Sequence, residues 1–364
     1  MIGGLDKGIR MTNSRTVLVT GGTGLIGGEV ISTLLTRGWT VRATARGDSD
    51  EAAEKRILDR LSRSGQRGSD PRRLRCLSGS VTAPNLGLKT DAFDDVSVLL
   101  HCAGETAFNE DERCWKTNVG AAERLVELGR RLSKPPRIIF VSTASVLMSP
   151  RHAEITEDMP FGGYDNGYTR SKRKAEEILL ASGLEVLILR PTIVFSRGVQ
   201  DRKMARAMLW VIPALIELGS APVEPDSRID IIPVDYAADA IERMLHVSAP
   251  KHRCYHISAG SRSSVTCSEF QEAAARVDPR ALEVNLSAAP STRPGPAQNL
   301  LRRRLEDSIS YYIPFMSADI VYSSDRLQAE IGQGLGHSPK VTQYVHTLLG
   351  QFEYQEGIQE SARP

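Results

Sequence analysis

Apolar residues in the first half of the chain gather into short unbroken runs, separated by longer stretches in which they recur every three or four positions. The runs are Val17–Val19, Val41–Thr44, Leu74–Leu77, Val98–His101, Arg137–Val141 and Glu185–Leu189. Each has the length of a buried strand, whereas Glu29–Leu35 and Ser171–Leu180 have helical spacing. Strands without polar alternation, separated by helices, predict a parallel sheet covered on both faces, a doubly wound α/β fold. After Pro191 the pattern changes. Met204–Leu218 is an apolar helix with Pro213 inside it, so a kink or break is expected. Asn285–Ala297 is rich in Pro, Ser and Ala and predicts a loop, after which Leu300–Ile313 resumes helical character. Residues 1–14 predict a disordered leader, with Met11 as an alternative start.

The turn between the first strand and the first helix reads Thr20-Gly21-Gly22-Thr23-Gly24-Leu25-Ile26-Gly27. Glycines at 21, 24 and 27 allow a tight turn, approach of backbone to a phosphate and close packing of helix on strand. The helix N-terminus adds free N–H groups and partial positive charge, so strand, glycine turn and helix together suit a dinucleotide pyrophosphate. The second strand region, Trp39–Arg46, ends on a cation. An acid there would accept from the 2′-OH of NAD and a cation would bind the 2′-phosphate of NADP. With Arg46 at the end, Arg42 close by and no acid before Asp48, NADP(H) is expected; Asp48 and Asp50 are the alternatives that could reach a ribose.

Tyr168 and Lys172 stand four apart at the start of a helical segment, so both side chains leave one face. A phenol needs help to exchange a proton near neutral pH, and a neighbouring ammonium lowers its pKa from about 10. The run Arg137–Val141 ends in Ser142-Thr143-Ala144-Ser145. A hydroxyl at the C-terminal end of a parallel strand faces the ligand crevice. Thr143 is chosen to hydrogen-bond a substrate carbonyl beside Tyr168, with Ser142 and Ser145 as rivals.

The order of these motifs resembles the extended short-chain dehydrogenases/reductases, and most closely their thioester reductase and fatty acyl-CoA reductase branch. The resemblance runs from residue 16 to about 270. It comprises the glycine turn, His101-Cys102-Ala103-Gly104, Thr117-Asn118-Val119-Gly120, Val141-Ser142-Thr143, Tyr168 with Lys172, Leu189-Arg190-Pro191 and Ile232-Pro233-Val234-Asp235. Pro84-Asn85-Leu86-Gly87-Leu88, Ala107-Phe108-Asn109 and Tyr311-Tyr312-Ile313-Pro314-Phe315 resemble the thioester reductase branch itself. Ser80 stands where that branch usually has an acid, and Ala103-Gly104 where it has paired alanines. The resemblance implies a Rossmann-type domain over 15–195, with further sheet segments near 229–260, and a smaller, mostly helical substrate lobe over 196–228 and 261–364. It implies Thr143, Tyr168 and Lys172 as catalytic residues. Cofactor contacts are implied for Gly21, Thr23, Gly24, Leu25, Ile26, Gly27, Arg46, His101, Ala103, Gly104, Asn118, Pro191, Thr192 and Ile193.

Composition narrows the function. Among 364 residues the formal charge is only +2, which demands no nucleic acid. No stretch approaches the roughly 18 apolar residues of a membrane span, and the first residues lack a signal peptide's apolar region. The five cysteines form no CxxC pair and the seven histidines show no metal-ligand spacing. They predict reduced thiols of a cytoplasmic protein without a metal site. Residues 51–75 carry Lys55, Arg56, Arg60, Arg63, Arg67, Arg72, Arg73 and Arg75. This run is a solvated face or a docking surface for a phosphorylated carrier such as CoA or an acyl carrier protein. The expected activity is NADPH-dependent reduction of an acyl thioester, on CoA or a carrier protein, to aldehyde or alcohol. The alternatives are an NADP-dependent alcohol dehydrogenase or ketone reductase, and a non-catalytic NADP sensor.

Overall fold

The strands carry almost no polar alternation because both sheet faces are covered. A computed structural model describes residues 16–62, 70–108, 110–147, 153–161, 166–196, 211–287, 303, 305–307, 309–310 and 312–349. The sheet strands are β1 (Thr16–Thr20), β2 (Thr40–Ala45), β3 (Leu74–Ser78), β4 (Val98–His101), β5 (Arg137–Val141), β6 (Val186–Pro191) and β7 (Cys254–Ile257). They lie in the order β7-β6-β5-β4-β1-β2-β3, and every pairing is parallel. All six runs predicted as strands are members, and β7 falls in the 229–260 segment expected to add to the sheet.

The helices used below are α1 (Leu25–Thr36), α2 (Asp50–Ser62), α3 (Gly120–Arg131), α4 (Gly167–Leu180), α5 (Val211–Leu218), α6 (Val234–His246) and α7 (Asp325–Leu335). Successive strand residues point to opposite faces. Val17, Val19, Val41, Ala43 and Leu100 therefore join one buried layer with Ile31 and Leu34 of α1 and Ile241 and Met244 of α6. Leu18, Leu99, Ile138, Phe140 and Ile188 join the opposite layer with Leu125 of α3 and Leu179 of α4.

The order of strands reverses at β1, which has β2 on one side and β4 on the other. The C-terminal ends of β1 and β4 meet in register, Thr20 beside His101. Open α/β sheets take ligands in the crevice at such a switch point.

A second apolar core gathers Phe195, Val211, Leu215, Val223, Ile229, Val265, Ala274, Val284, Leu305, Ile309 and Tyr344. Pro213 lies within α5, whose described part is Val211–Leu218; residues 204–210 of the predicted helix lie outside the described residues. Helix α7, expected in the substrate lobe, instead returns to the sheet. Its Leu327, Ile331 and Leu335, at helical spacing, pack on the layer of α1 and α6. In the predicted loop, Asn285–Leu286 pairs with Ser220–Ala221, while residues 288–297, like the leader, lie outside the described residues.

The joint between α1 and α6 is ionic. Glu242, buried on α6, accepts from Trp39 Nε1 at 3.0 Å, lies 2.9 Å from His246 Nε2 and is also bonded by Arg37. Arg37 reaches Asp239 at 2.7 Å as well. Burial would raise the Glu242 carboxyl, but the hydrogen bonds from His246, Trp39 and Arg37 with the Arg37 charge hold it at about 2.

Candidate active site

The glycine turn is shaped by close approach. Gly21 has φ +75°, and a Cβ on it would lie 2.6 Å from the Ala103 nitrogen; one on Gly27 would lie 2.2 Å from the Gly21 oxygen. Gly24 caps α1 without a side-chain acceptor, and no acid occupies the first turn. The amides at this helix N-terminus are thus available to an anion, and these residues fit a dinucleotide pyrophosphate. Thr23, Gly24, Leu25 and Ile26 are half-buried along the turn.

Arg60 corrects the reading of the basic run as a solvated face. Its side chain is buried, with Nε 3.3 Å from the Gly24 oxygen and Nη2 3.1 Å from the Leu25 oxygen. It adds positive charge behind the turn. The signal was present in the sequence, because Ala53, Ile57 and Arg60 share the inner face of α2 at i, i+4, i+7. Arg72, Arg73 and Arg75 also have partners: Asp70, the Gly38 carbonyl and Asp91. Arg63 and Arg67 lie outside the described residues.

At the far end of the crevice, Arg46 is exposed immediately after β2, and its carbonyl accepts from Arg56 Nη1 at 2.5 Å. Arg42 does not share this corner. Its guanidinium donates to the Ala92 and Asp91 carbonyls at 3.0 and 3.4 Å and to that of Asp94. Asp50 Oδ1 accepts from the Ser78 amide at 2.7 Å, so the loops after β2 and β3 are tied by the acid weighed as a ribose ligand. Ser80 Oγ lies 3.1 Å from Thr82 Oγ1.

Thr143, Tyr168 and Lys172 come together over the end of β5. Asn166 caps α4 by accepting from the Thr169 amide at 2.8 Å, while Thr169 Oγ1 accepts from the Asn166 amide at 3.1 Å. This reciprocal cap starts the helix where Tyr168 projects toward Thr143, with which it is hydrogen-bonded. The rivals are placed differently: the Ser142 hydroxyl is buried without a hydrogen-bond partner, and that of Ser145 bonds the Tyr322 phenol.

The electrostatics differ from expectation. Lys172 Nζ donates to the Val141 carbonyl at 3.0 Å and lies 4.7 Å over the Phe140 ring. Burial pushes Tyr168 up to about 12, against the smaller downward pull of the Thr143 bond. Burial likewise brings the Lys172 ammonium down to about 8, opposed by the Glu176 carboxylate. Glu176, one turn further along α4, is itself gripped by Arg190, with Nη2 at 2.6 Å. The phenol is therefore a protonated donor at neutral pH.

The remaining predicted contacts surround this set. The His101 ring is buried, 2.9 Å from Thr20 Oγ1 and stacked on Phe140 at 5.4 Å. Burial lowers it to about 3. Ala103 donates to Thr20 Oγ1 at 3.4 Å. A Cβ on Gly104 would lie 3.1 Å from Asn118 Oδ1 and 3.2 Å from Lys172 Nζ. Asn118, in a π-helical stretch Trp115–Val119, accepts from the Glu105 amide at 2.8 Å and donates to Ser171 Oγ at 2.9 Å. It ties the loop after β4 to α4. Pro191 ends β6, and Ile193 begins a short strand, Ile193–Phe195, paired with Ile231–Pro233.

Thr192, between them, donates to Asp230 Oδ1 at 2.8 Å. Asp230 is a residue that motif reading missed. Buried, it also accepts from the Ala259 amide at 2.8 Å and the Tyr322 amide at 3.4 Å. Burial pushes its carboxyl up to about 6 against those bonds. Its signal was an acid inside the apolar run Ile229-Asp230-Ile231-Ile232. The cysteines are packing thiols; burial raises Cys102 to about 12 and Cys114 to about 11. Among the described residues no group of three or more His, Cys, Asp or Glu could hold a metal, and no helix is long and apolar enough to cross a membrane.

Known proteins agree with this architecture. The nonribosomal peptide synthetase asaC of Aspergillus flavus is 25% identical over 273 residues, which are 68% of this chain and 26% of the relative. This chain thus spans about a quarter of that protein's length. The terminal R domain from the myxalamid PKS-NRPS biosynthetic pathway superposes with a TM-score of 0.74 at 23% identity, covering 95% of this chain and 92% of that one. A thiolation-reductase di-domain from an archaeal non-ribosomal peptide synthetase gives a TM-score of 0.67 at 18% identity, covering 98% and 93%. Residues 19–241, more than half of the chain, match the NAD-binding family described as Male sterility protein. The chain belongs to that family: it is an extended short-chain dehydrogenase/reductase of the thioester reductase branch and an NAD(P)-dependent oxidoreductase.

Proposed function

We propose that the protein uses NADPH to reduce an acyl thioester, carried by CoA or by a carrier protein, to an aldehyde or alcohol. The observation that carries this reading is the Thr143–Tyr168 hydrogen bond over the end of β5, with Lys172 on the same face of α4. Because the Thr143 hydroxyl acts on the Tyr168 phenol, the two are neighbours, and one carbonyl oxygen placed between them can accept from both. The carrier half of the proposal draws on the synthetase relative and on the solved thiolation-reductase di-domain. Preference for NADPH draws on Arg46 and Arg56 at the end of β2, where Asp50 is held by the Ser78 amide.

The glycine turn and the N-terminus of α1 hold the pyrophosphate, and Lys172 holds the nicotinamide ribose. A nicotinamide cofactor held there would supply the hydride that the thioester carbon accepts. As charge grows on the carbonyl oxygen, Thr143 and Tyr168 donate to it, which stabilises the oxyanion. Tyr168, kept protonated by burial, passes its proton to that oxygen and leaves a hemithioacetal. Collapse returns the hydroxyl proton to the Tyr168 phenolate as the C–S bond breaks, and the sulfur leaves as thiolate, which takes its proton from solvent on release. The aldehyde that remains can accept a second hydride to give the alcohol.

The test is loss of NADPH absorbance with a panel of acyl-CoA and carrier-linked thioesters, beside matched ketones and aldehydes. Thioester-dependent oxidation with release of free thiol is expected, and Tyr168→Phe lowers the rate by about 10²–10⁴-fold. Turnover of ketones or aldehydes alone makes the protein an alcohol dehydrogenase. NADPH binding without turnover makes it a sensor.

A further inference from the structure

The aromatic segment near the C-terminus, Tyr312–Phe315, carries no role in the mechanism above, yet it comes back to the catalytic phenol. Phe108, on the loop after β4, lies with its ring 5.7 Å from that of Tyr168 and tilted by 40°. The same Phe108 ring is 5.2 Å from Tyr312 and is stacked on Phe315 at 5.2 Å and 17°. These centroid distances are those of attractive ring pairs. Phe315 in turn packs on Ala144, Val146, Leu147, Ile155, Ile320 and Tyr322. That small cluster includes the turn following Thr143. The rings thus form one apolar surface running from the Thr143 turn to Tyr168.

Phe108, Tyr312 and Phe315 are all half-buried. Each ring keeps some exposed surface, and through Phe108 the set adjoins the ring of Tyr168; covering such apolar surface is favourable by the hydrophobic effect. A charged acyl group would have to shed water against these rings without compensation.

We propose that Phe108, Tyr312 and Phe315 form the wall against which the acyl chain lies, and that this wall selects apolar acyl groups over charged or very short ones. The proposal rests on the thioester reading above and names the substrate class of that site. Each methylene that reaches the wall contributes a factor of about 4 in kcat/KM.

The experiment compares acetyl-, butyryl-, hexanoyl-, octanoyl- and succinyl-CoA with the wild type, Phe108→Ala, Phe315→Ala, and the polar replacements Phe108→Gln and Phe315→Gln. NADPH affinity is measured on each variant as a check of the folded crevice. In the wild type kcat/KM rises along the apolar series and is lowest for the charged chain. Variants that bind NADPH normally lower the octanoyl-to-acetyl ratio by at least about 10-fold, which corresponds to two methylenes losing the wall. Phe108→Leu and Phe315→Leu, which keep an apolar side chain, hold the ratio within about threefold. A uniform loss across the series, with the ratio unchanged, overturns the wall and leaves thioester reduction standing. Turnover of straight-chain aldehydes but of no thioester overturns the thioester reading instead, and the same ratio measured on the aldehydes then decides the wall.

Discussion

The two sides of the crevice are built in opposite ways. The side proposed for the cofactor is made of contiguous residues, Gly21 to Gly27, and offers backbone amides whose positions follow from two glycines and a helix start. The side proposed for the substrate is made of side chains from Phe108, Thr143, Tyr168, Tyr312 and Phe315, more than 200 residues apart at the extremes. Local sequence suffices for the first, because a turn and a helix N-terminus are local objects. The second exists only when β4, β5, α4 and the C-terminal segment are packed together. The cofactor side is therefore sensitive to the smallest change of volume and indifferent to polarity, whereas the substrate side is sensitive to chemistry.

Three measurements sharpen this contrast. Gly27→Ala, a single methyl, meets the Gly21 oxygen at 2.2 Å. Relief of such an overlap costs about 1–3 kcal/mol, and the expected result is a rise of about 10–100-fold in the cofactor KM, with kcat for saturating cofactor far less affected. An unchanged cofactor KM would break the assignment of the turn.

On the substrate side a proton, not a volume, is decisive. If the Lys172 ammonium is the form that holds the ribose, kcat/KM falls as pH rises above about 8, the value to which burial lowers it. The limiting slope is about tenfold per pH unit, the behaviour of one essential ionisation. Lys172→Arg, which does not titrate in this range, removes that limb even as it lowers the rate. A profile flat to pH 10 in the wild type would exclude the role.

The smallest effect on catalysis is expected at the α1–α6 joint, which belongs to neither side. Glu242→Ala strips Trp39, His246 and Arg37 of their shared acceptor and is expected to lower stability by about 2 kcal/mol with kcat unchanged. The Glu242 carboxyl sits at about 2 in the fold, below its unfolded value of about 4.3. Its contribution is therefore present above pH 4.3 and is lost as pH falls toward 2. Denaturant midpoints taken between pH 6 and 3 should fall less steeply for the variant than for the wild type; equal slopes would sink the account.

Much of the fold was legible in the chain because buried parallel strands announce themselves as unbroken apolar runs. All six predicted strands join the sheet. Helix α7 was misplaced because an amphipathic helix states that one face is covered without stating by what; Leu327, Ile331 and Leu335 found the α1–α6 layer. The same limit applies to polar residues. Arg60 counted as one of eight cations in a basic run, yet it turns inward to Gly24 and Leu25. His101 stood in a motif at the crevice, and only the fold shows its ring stacked on Phe140.

By itself the sequence determined the doubly wound class, the glycine turn and the spacing of Tyr168 and Lys172, since each follows from periodicity or from conformations that only glycine tolerates. Tertiary structure decided which hydroxyl after β5 meets Tyr168, which arginines face the cofactor corner, and that Asp230 joins Thr192 to Tyr322. It also decided that the phenol is raised by burial rather than lowered by a cation. The reason is physical: backbone geometry is set by neighbours in the chain, whereas desolvation and hydrogen-bond partners are set by neighbours in space.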